Sequence, residues 1–233
     1  MDRKTFENIR NTLNGLIKGT VWENHVYLVG GCVRDDVMNN PVKDVDIVID
    51  LPDGGIKFVS WLKENEHTTQ NVIFYPHYGT VMFRLANYPD IEIEAVQTRK
   101  EKYTDINTRN PETVYEDCFR RDLTINALYY NISTSKLVDP TGKGLDDIHN
   151  HTIRTSTKPD VVYNDDPLRI LRCIRFSARF GWEIEKNTWN GILRNVGRLS
   201  IITSERKRDE LIKMLTCRFP AQAMKMLAEA GAM

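Results

Sequence analysis

Apolar residues recur at two spacings along the chain, and each spacing predicts a different kind of element. Helical spacing at the start of the chain predicts an amphipathic helix that ends near Gly19. The apolar residues of this helix are Phe6, Ile9, Leu13, Leu16 and Ile17. Runs of β-branched and aromatic residues predict strands at 25–29, 72–75, 80–85 and 91–96, with a helix at 56–66. This order of strands and helices favours an α/β or α+β sheet domain.

The pattern from residue 160 onward is helical. The clearest predicted helix opens within 165–169, where Asp166 suits the N-cap and Pro167 the first turn. Further helices are predicted at 186–196, 204–215 and 220–229. The polar stretch 99–117 is predicted as a loop, and the turn-rich stretch 137–148 as a connector or hinge.

Composition adds an uneven charge distribution to this picture. The 233 residues are enough for one large domain or two small ones, and their net charge is zero. From Asn150 onward there are 15 Lys and Arg against 9 Asp and Glu, whereas the first 149 residues hold 17 against 23. An acidic N-terminal part and a basic C-terminal part fit an enzyme that binds a metal and a polyanion. The four separated cysteines and the absence of a signal or membrane-spanning pattern predict a cytoplasmic protein.

Gly30 and Gly31 follow the predicted strand at 25–29 directly. Two glycines let the backbone turn sharply, so its N–H groups can approach a ligand. The start of the next helix favours phosphate, and Arg34, one turn into that helix, could reach the same anion. An ordinary surface turn is the alternative interpretation.

Acidic residues recur two apart on two predicted strands. Asp44 and Asp46 should point to one face of their strand, where a divalent cation would offset their mutual repulsion. Glu92 and Glu94 have the same spacing, and Glu94 is our choice for the third carboxylate of a two-metal site. The alternative is a strand edge that its acids keep soluble.

The stretch 28–50, which carries Gly30-Gly31 and Asp44-x-Asp46, resembles the signature of the class II nucleotidyltransferases. These are the tRNA CCA-adding enzymes and bacterial poly(A) polymerases of the DNA polymerase beta superfamily. The resemblance implies an α+β fold with a polymerase-beta-like sheet domain at 1–148 and a helical neck domain at 149–233. In relatives an acid precedes the equivalent of Arg99 by five residues, which supports Glu94.

The segment FRRDLTINALYYN, at 119–131, resembles the second motif of this family. The resemblance implies that Arg120 and Arg121 bind phosphates, that Asp122 orients one of these arginines, and that Asn126 reads the ribose. A helix-to-strand junction with a structural Arg–Asp pair is the alternative interpretation.

The segment DDPLRILRCIRFSARFGW, at 165–182, resembles the family motif that selects the incoming base. Asp166 and Arg169 lie one turn apart and could match the edge of a base, while Arg172 could bind phosphate or RNA. Asp165 stands where relatives usually carry Glu, and Asp166 could be a helix cap alone.

A later motif places Arg206 and Glu210 four residues apart on a predicted helix. This spacing is typical of an ordinary salt bridge within one helix, and we predict such a bridge here. Relatives use the corresponding pair to brace the neck, which is the alternative interpretation.

The resemblance implies template-independent transfer of CMP or AMP from CTP or ATP to the 3′ end of tRNA, with release of pyrophosphate. Two Mg²⁺ ions would be held by Asp44, Asp46 and Glu94. Poly(A) synthesis, nucleotidyl transfer to a small molecule and an inactive RNA-binding relative remain as alternatives. Relatives usually continue into further helical domains, so the chain is expected to be either naturally short or part of a longer protein.

Overall fold

The computed structural model describes residues 1–76, 79–98 and 113–232. Residues 99–112, the greater part of the predicted polar loop, lie outside this range. The described helices are α1 (Arg3–Ile17), α2 (Gly31–Val37), α3 (Gly54–Glu64), α4 (Val114–Asp117), α5 (Gly144–His149), α6 (Pro159–Asp165), α7 (Leu168–Phe180), α8 (Lys186–Asn195), α9 (Ser204–Leu215) and α10 (Pro220–Ala230). The strands are β1 (Val26–Val29), β2 (Val45–Ile49), β3 (Ile73–Tyr75), β4 (Thr80–Phe83), β5 (Ile93–Gln97), β6 (Tyr129–Asn131), β7 (Lys136–Val138), β8 (Thr152–Ile153) and β9 (Glu183–Ile184).

The first seven strands form one mixed sheet in the order β3-β4-β5-β2-β1-β6-β7. Strands β2 and β5 are parallel, and the other neighbouring pairs are antiparallel. The α+β fold predicted from the sequence is confirmed. The prediction of a connector at 137–148 is partly wrong, because these residues include the end of β7 and most of α5. The edge strand β7 has only three residues, too few to give a periodic pattern.

The two faces of the sheet differ in burial. Alternate residues of its central strands are almost completely buried, as Leu28, Ile47 and Ala95 illustrate. Asp46 and Glu94, which lie next to these residues on β2 and β5, are half-exposed. Helix α3 packs against β2, β4 and β5, and a Cβ atom at Gly55 would lie 3.0 Å from the backbone of β5. This alternation positions polar side chains on one face while the other face forms the core.

Contacts divide the chain into two compact units. Unit 1 comprises Met1–Asp117 and Leu128–Pro140, and unit 2 comprises Cys118–Ala127 and Thr141–Met233. Residues 118–127 belong with unit 2 because Leu123 pairs with Thr155 and the Thr124 hydroxyl donates to Asp147 at 2.6 Å. The domain boundaries predicted at 148 and 149 remain a prediction.

Helix α7 lies at the centre of unit 2 and packs against α6, α9 and α10. It ends at Gly181, whose φ of 73° is the left-handed conformation that glycine adopts without strain. A Cβ atom there would lie 2.6 Å from the Phe219 ring. Among the described residues, we find no helix with the length and apolar character required to cross a bilayer.

Candidate nucleotide and metal site

The Gly30-Gly31 turn has the geometry that only glycine adopts readily. Gly30 precedes α2 with φ 73° and ψ −127°. A Cβ atom on Gly31 would lie 3.6 Å from Arg34 Nη2, so the guanidinium group lies beside the turn, as the sequence predicts. Arg34 is buried, however, and its Nε donates to Asp35 Oδ1 at 2.9 Å. Its charge is therefore balanced within the protein by a buried carboxylate, a pairing that the sequence pattern did not indicate.

Asp46 and Glu94 face each other across the parallel pair β2 and β5. They are directly paired in register, and paired residues project from the same face of a sheet. Asp44 is exposed and lies immediately before β2, outside the strand itself. Glu92 forms an ion pair with Arg84 at 2.9 Å, which favours Glu94 as the metal-ligand candidate.

The chemistry of this donor set suits magnesium. Like charges on directly paired residues of a sheet are unfavourable, and a hard divalent cation that prefers carboxylate oxygen relieves this repulsion. Over the described ranges, no three or more Asp, Glu, His or Cys side chains are grouped closely enough to hold a metal ion. The structure thus brings Asp46 and Glu94 together, but not the complete set of three predicted carboxylates.

Asp122 is the centre of a buried network in unit 2. Its Oδ1 accepts from the Leu123 backbone N–H at 2.8 Å and from Asn126 Nδ2 at 2.9 Å, and its Oδ2 accepts from Arg172 Nε at 2.7 Å. The predicted pairing of Asp122 with Arg120 or Arg121 is therefore wrong. Arg172 lies 50 residues away along the chain, on α7, where its guanidinium group can reach the carboxylate.

The Arg172 ion pair determines the charge state of Asp122. Burial disfavours the carboxylate, but the charge of Arg172 and the hydrogen bonds outweigh burial and lower the pKa of Asp122 to about 2. The charge of Asp122 in turn raises the pKa of Arg172. Asp122 is therefore ionised near neutral pH and holds the Asn126 amide in a fixed orientation. Arg120 and Arg121 are half-exposed, and the Ser156 hydroxyl donates to the Arg121 carbonyl oxygen.

Three charged residues predicted to select the base meet where α6 ends and α7 begins. Arg169 is buried and its Nη2 lies 2.5 Å from Asp165 Oδ2. Asp166 Oδ1 accepts from the Leu168 N–H at 3.0 Å, so this carboxylate caps α7, although the helix begins after Pro167. The Asp166 carboxylate therefore binds the first N–H group of α7, although the N-cap of this helix is Pro167 and not Asp166 as predicted, and Arg169 lies one turn further along the same segment.

The predicted salt bridge between Arg206 and Glu210 is wrong, because each residue pairs with a group outside α9. Arg206 Nη2 donates to Asp166 Oδ2 at 2.7 Å. Glu210 accepts from Arg175 Nε at 2.6 Å, and both of these residues are buried. Local spacing along α9 suggested the wrong partner because it describes neighbours on one helix and ignores the helix packed against it.

Arg175 is a structural anchor of unit 2, because its guanidinium group pairs with the buried Glu210. The sequence places it in the arginine series 169, 172 and 175 at helical spacing along α7 and predicts contact with RNA or phosphate, whereas the structure gives it an internal partner. The series alone does not name the acid that each arginine binds, since Arg169, Arg172 and Arg175 pair with carboxylates on three different segments.

Comparison with known proteins then identifies the family. The family described as "Poly A polymerase head domain" matches residues 26–154, more than half of the chain. The chain belongs to the poly A polymerase head-domain family. This result confirms the family predicted from the sequence. A second family, described as "Probable RNA and SrmB- binding site of polymerase A", matches residues 181–233.

Curated relatives of this poly A polymerase head-domain protein are similar over most of its length. The tRNA nucleotidyltransferase cca1 of Schizosaccharomyces pombe is 35% identical over 90% of this chain and 45% of its own. The CCA-adding enzyme of Geobacillus sp. is 32% identical over 88% of this chain and 49% of its own. The chain therefore spans about half the length of the curated relatives that it matches.

Solved structures agree with the fold. The Thermotoga maritima CCA-adding enzyme complexed with tRNA-CCA has a TM-score of 0.81 and 28% identity, over 100% of this chain and 52% of that chain. The Bacillus stearothermophilus CCA-adding enzyme in complex with CTP has a TM-score of 0.75 and 27% identity, over 89% of this chain and 48% of that chain. This poly A polymerase head-domain protein therefore shares its fold with CCA-adding enzymes.

Proposed function

We propose that the chain is a template-independent RNA nucleotidyltransferase that adds CMP, AMP or both, from CTP and ATP, to the 3′ end of tRNA. The observation that carries the proposal is the register pair of Asp46 and Glu94 on adjacent parallel strands, within the segment that matches the poly A polymerase head domain. The similar tRNA nucleotidyltransferase and the CCA-adding enzymes solved with CTP and with tRNA-CCA support the same chemistry.

In the proposed reaction, the RNA 3′-oxygen attacks the α-phosphorus of the nucleoside triphosphate and pyrophosphate leaves. Asp44, Asp46 and Glu94 would hold two Mg²⁺ ions, which would supply positive charge to the phosphates and to the 3′-oxygen. The backbone at Gly30 and Gly31 would approach the triphosphate closely, since no side chain intervenes.

The arginines and amides would orient the substrate, since phosphoryl transfer depends mainly on positioning and electrostatics. Arg34, whose charge is already balanced by Asp35, would stabilise the glycine turn and supply further hydrogen-bond donors beside it. Arg120 and Arg121 would bind phosphates, and Asn126, oriented by Asp122 and Arg172, would bind the ribose. Asp166 and Arg169, with Asp165 holding Arg169, would select the base.

The proposal is tested with tRNA that lacks its 3′ CCA and with labelled CTP or ATP. We expect transfer by the unmodified chain, and a loss of at least about a hundredfold in Asp46→Asn, because a metal-binding carboxylate becomes an amide. Asp53→Asn is the matched control, since Asp53 is exposed in the same unit and asparagine tolerates its φ of 54°. Transfer by Asp46→Asn at the rate of the control would reject the metal assignment.

The family name also favours poly(A) synthesis as a second candidate. Single-nucleotide assays on truncated tRNA and on an oligo(A) primer distinguish the two functions. CMP addition to truncated tRNA supports CCA addition, whereas long AMP tails on both substrates support poly(A) synthesis.

The cytoplasmic location predicted from the sequence remains a prediction, because relatives include mitochondrial enzymes.

A further inference from the structure

Two ion pairs join helix α9 to α7 and to Asp166 just before α7. Only two residues of α9 are buried, Glu210 and Met214. Glu210 pairs with Arg175 in the middle of α7, and Arg206 pairs with Asp166 just before α7 begins. A buried ion pair is favourable only in a narrow geometry, so the Arg175–Glu210 pair fixes where α9 lies along α7.

Both oxygens of Asp166 are bound by the protein. Oδ1 accepts from the Leu168 N–H at 3.0 Å, and Oδ2 accepts from Arg206 Nη2 at 2.7 Å. A carboxylate held at both oxygens cannot rotate freely, and its remaining lone pairs point in set directions. Arg206 therefore contributes to the orientation of the group that we propose reads the base.

We infer that Arg206 is a positioning residue for nucleotide choice. It fixes the Asp166 carboxylate, while the Arg175–Glu210 pair holds α9 so that Arg206 stays at Asp166. This inference rests on the proposed function. Cytosine and adenine carry an amino group where guanine and uracil carry an oxygen, so a correctly oriented carboxylate favours CTP and ATP over GTP and UTP. Loss of that orientation weakens the preference.

The test compares incorporation of each of the four nucleotides by Arg206→Met, Arg206→Lys and Arg208→Met. Arg208 is the matched control, because it is an exposed arginine of the same helix that forms no ion pair with any described residue. We expect Arg206→Met to lower the preference for CTP and ATP about tenfold, with partial recovery in Arg206→Lys. Arg208→Met should keep the preference of the unmodified chain.

Four results bear on the inference. An unchanged preference in Arg206→Met, with normal transfer by the unmodified chain, overturns the inference and leaves the proposed function standing. Absence of transfer by the unmodified chain overturns the proposed function itself. A double-mutant cycle of Arg206→Met and Asp166→Asn, measured by thermal unfolding, tests the contact without any assay of activity. Non-additive shifts in melting temperature support the contact, and additive shifts overturn it.

Discussion

Asp122 illustrates how one buried carboxylate can depend on a distant residue. Its charge is offset by Arg172 on α7, and its other oxygen holds Asn126. The neighbouring Arg120 and Arg121 do not fill this role. At the residue scale, the ion-pair partner of Asp122 depends on which helix lies beside residues 118–127, and here that helix is α7.

Replacing Arg172 with methionine should lower the free energy of unfolding by about 2 kcal/mol at pH 7, because a buried carboxylate loses its countercharge. The side chain of Arg172 is 36% exposed, so solvent screening keeps the effect moderate. Since the folded-state pKa of Asp122 is lowered to about 2, its stabilising effect is complete above its ordinary pKa and is lost as the pH falls toward 2. Urea unfolding between pH 7 and 3 measures this dependence.

The matched control is the double variant Arg172→Met with Asp122→Asn. Removing both charges should recover part of the stability lost in Arg172→Met, since no buried charge is left without its partner. A stability difference between the unmodified chain and Arg172→Met that stays constant down to pH 3 would contradict a role for the Asp122 charge.

Single positions differ in how far the sequence predicts them. Spacing predicts that Asp46 shares a face with Asp44, which stays a prediction because Asp44 precedes β2, whereas the strand register places Asp46 directly beside Glu94. Spacing also suggests that Arg206 pairs with Glu210, whereas the structure pairs Arg206 with Asp166. The first inference depends on strand geometry, while the second needs the position of another helix, which local sequence does not contain.

At the scale of elements, helices with long periodic patterns are predicted well. The helix predicted at 204–215 has those bounds in α9, and the one predicted at 186–196 ends one residue earlier in α8. Short strands such as β6 and β7 depend on pairing with β1 and with each other, so their local pattern is weak.

Close packing between α8 and α6 leads to a prediction at Gly191. A Cβ atom there would lie 2.3 Å from Pro159 Cβ, which is part of a rigid ring. We expect Gly191→Ala to lower the free energy of unfolding by about 1–3 kcal/mol, despite the better helix propensity of alanine. Thermal or urea unfolding measures the change.

Gly15 in α1 is the matched control for Gly191. A Cβ atom at Gly15 meets nothing within 4 Å, so Gly15→Ala should raise the free energy of unfolding by about 0.5–1 kcal/mol. Equal effects of the two substitutions would contradict the packing explanation.

At the scale of the whole molecule, the two units carry opposite charge. Unit 2 contains 18 Lys and Arg against 12 Asp and Glu, and unit 1 contains 14 against 20. The neutral total therefore conceals a basic unit that suits a polyanion and an acidic unit that suits cations. The segment matched by the RNA-binding family, 181–233, lies within the basic unit.

This charge separation predicts that the proposed binding of tRNA weakens as salt rises, because contacts with phosphates release counterions. We expect the logarithm of the association constant to fall with the logarithm of the KCl concentration, with a slope of about −2 to −4. Replacing Lys186 and Arg218 of unit 2 with glutamine should weaken binding and make that slope shallower by about 1.5 to 2, since two phosphate contacts are lost. Replacing Lys4 and Lys63 of unit 1, which are also exposed, should leave both unchanged. Equal effects of the two pairs would show that RNA binding does not depend on the charge of unit 2.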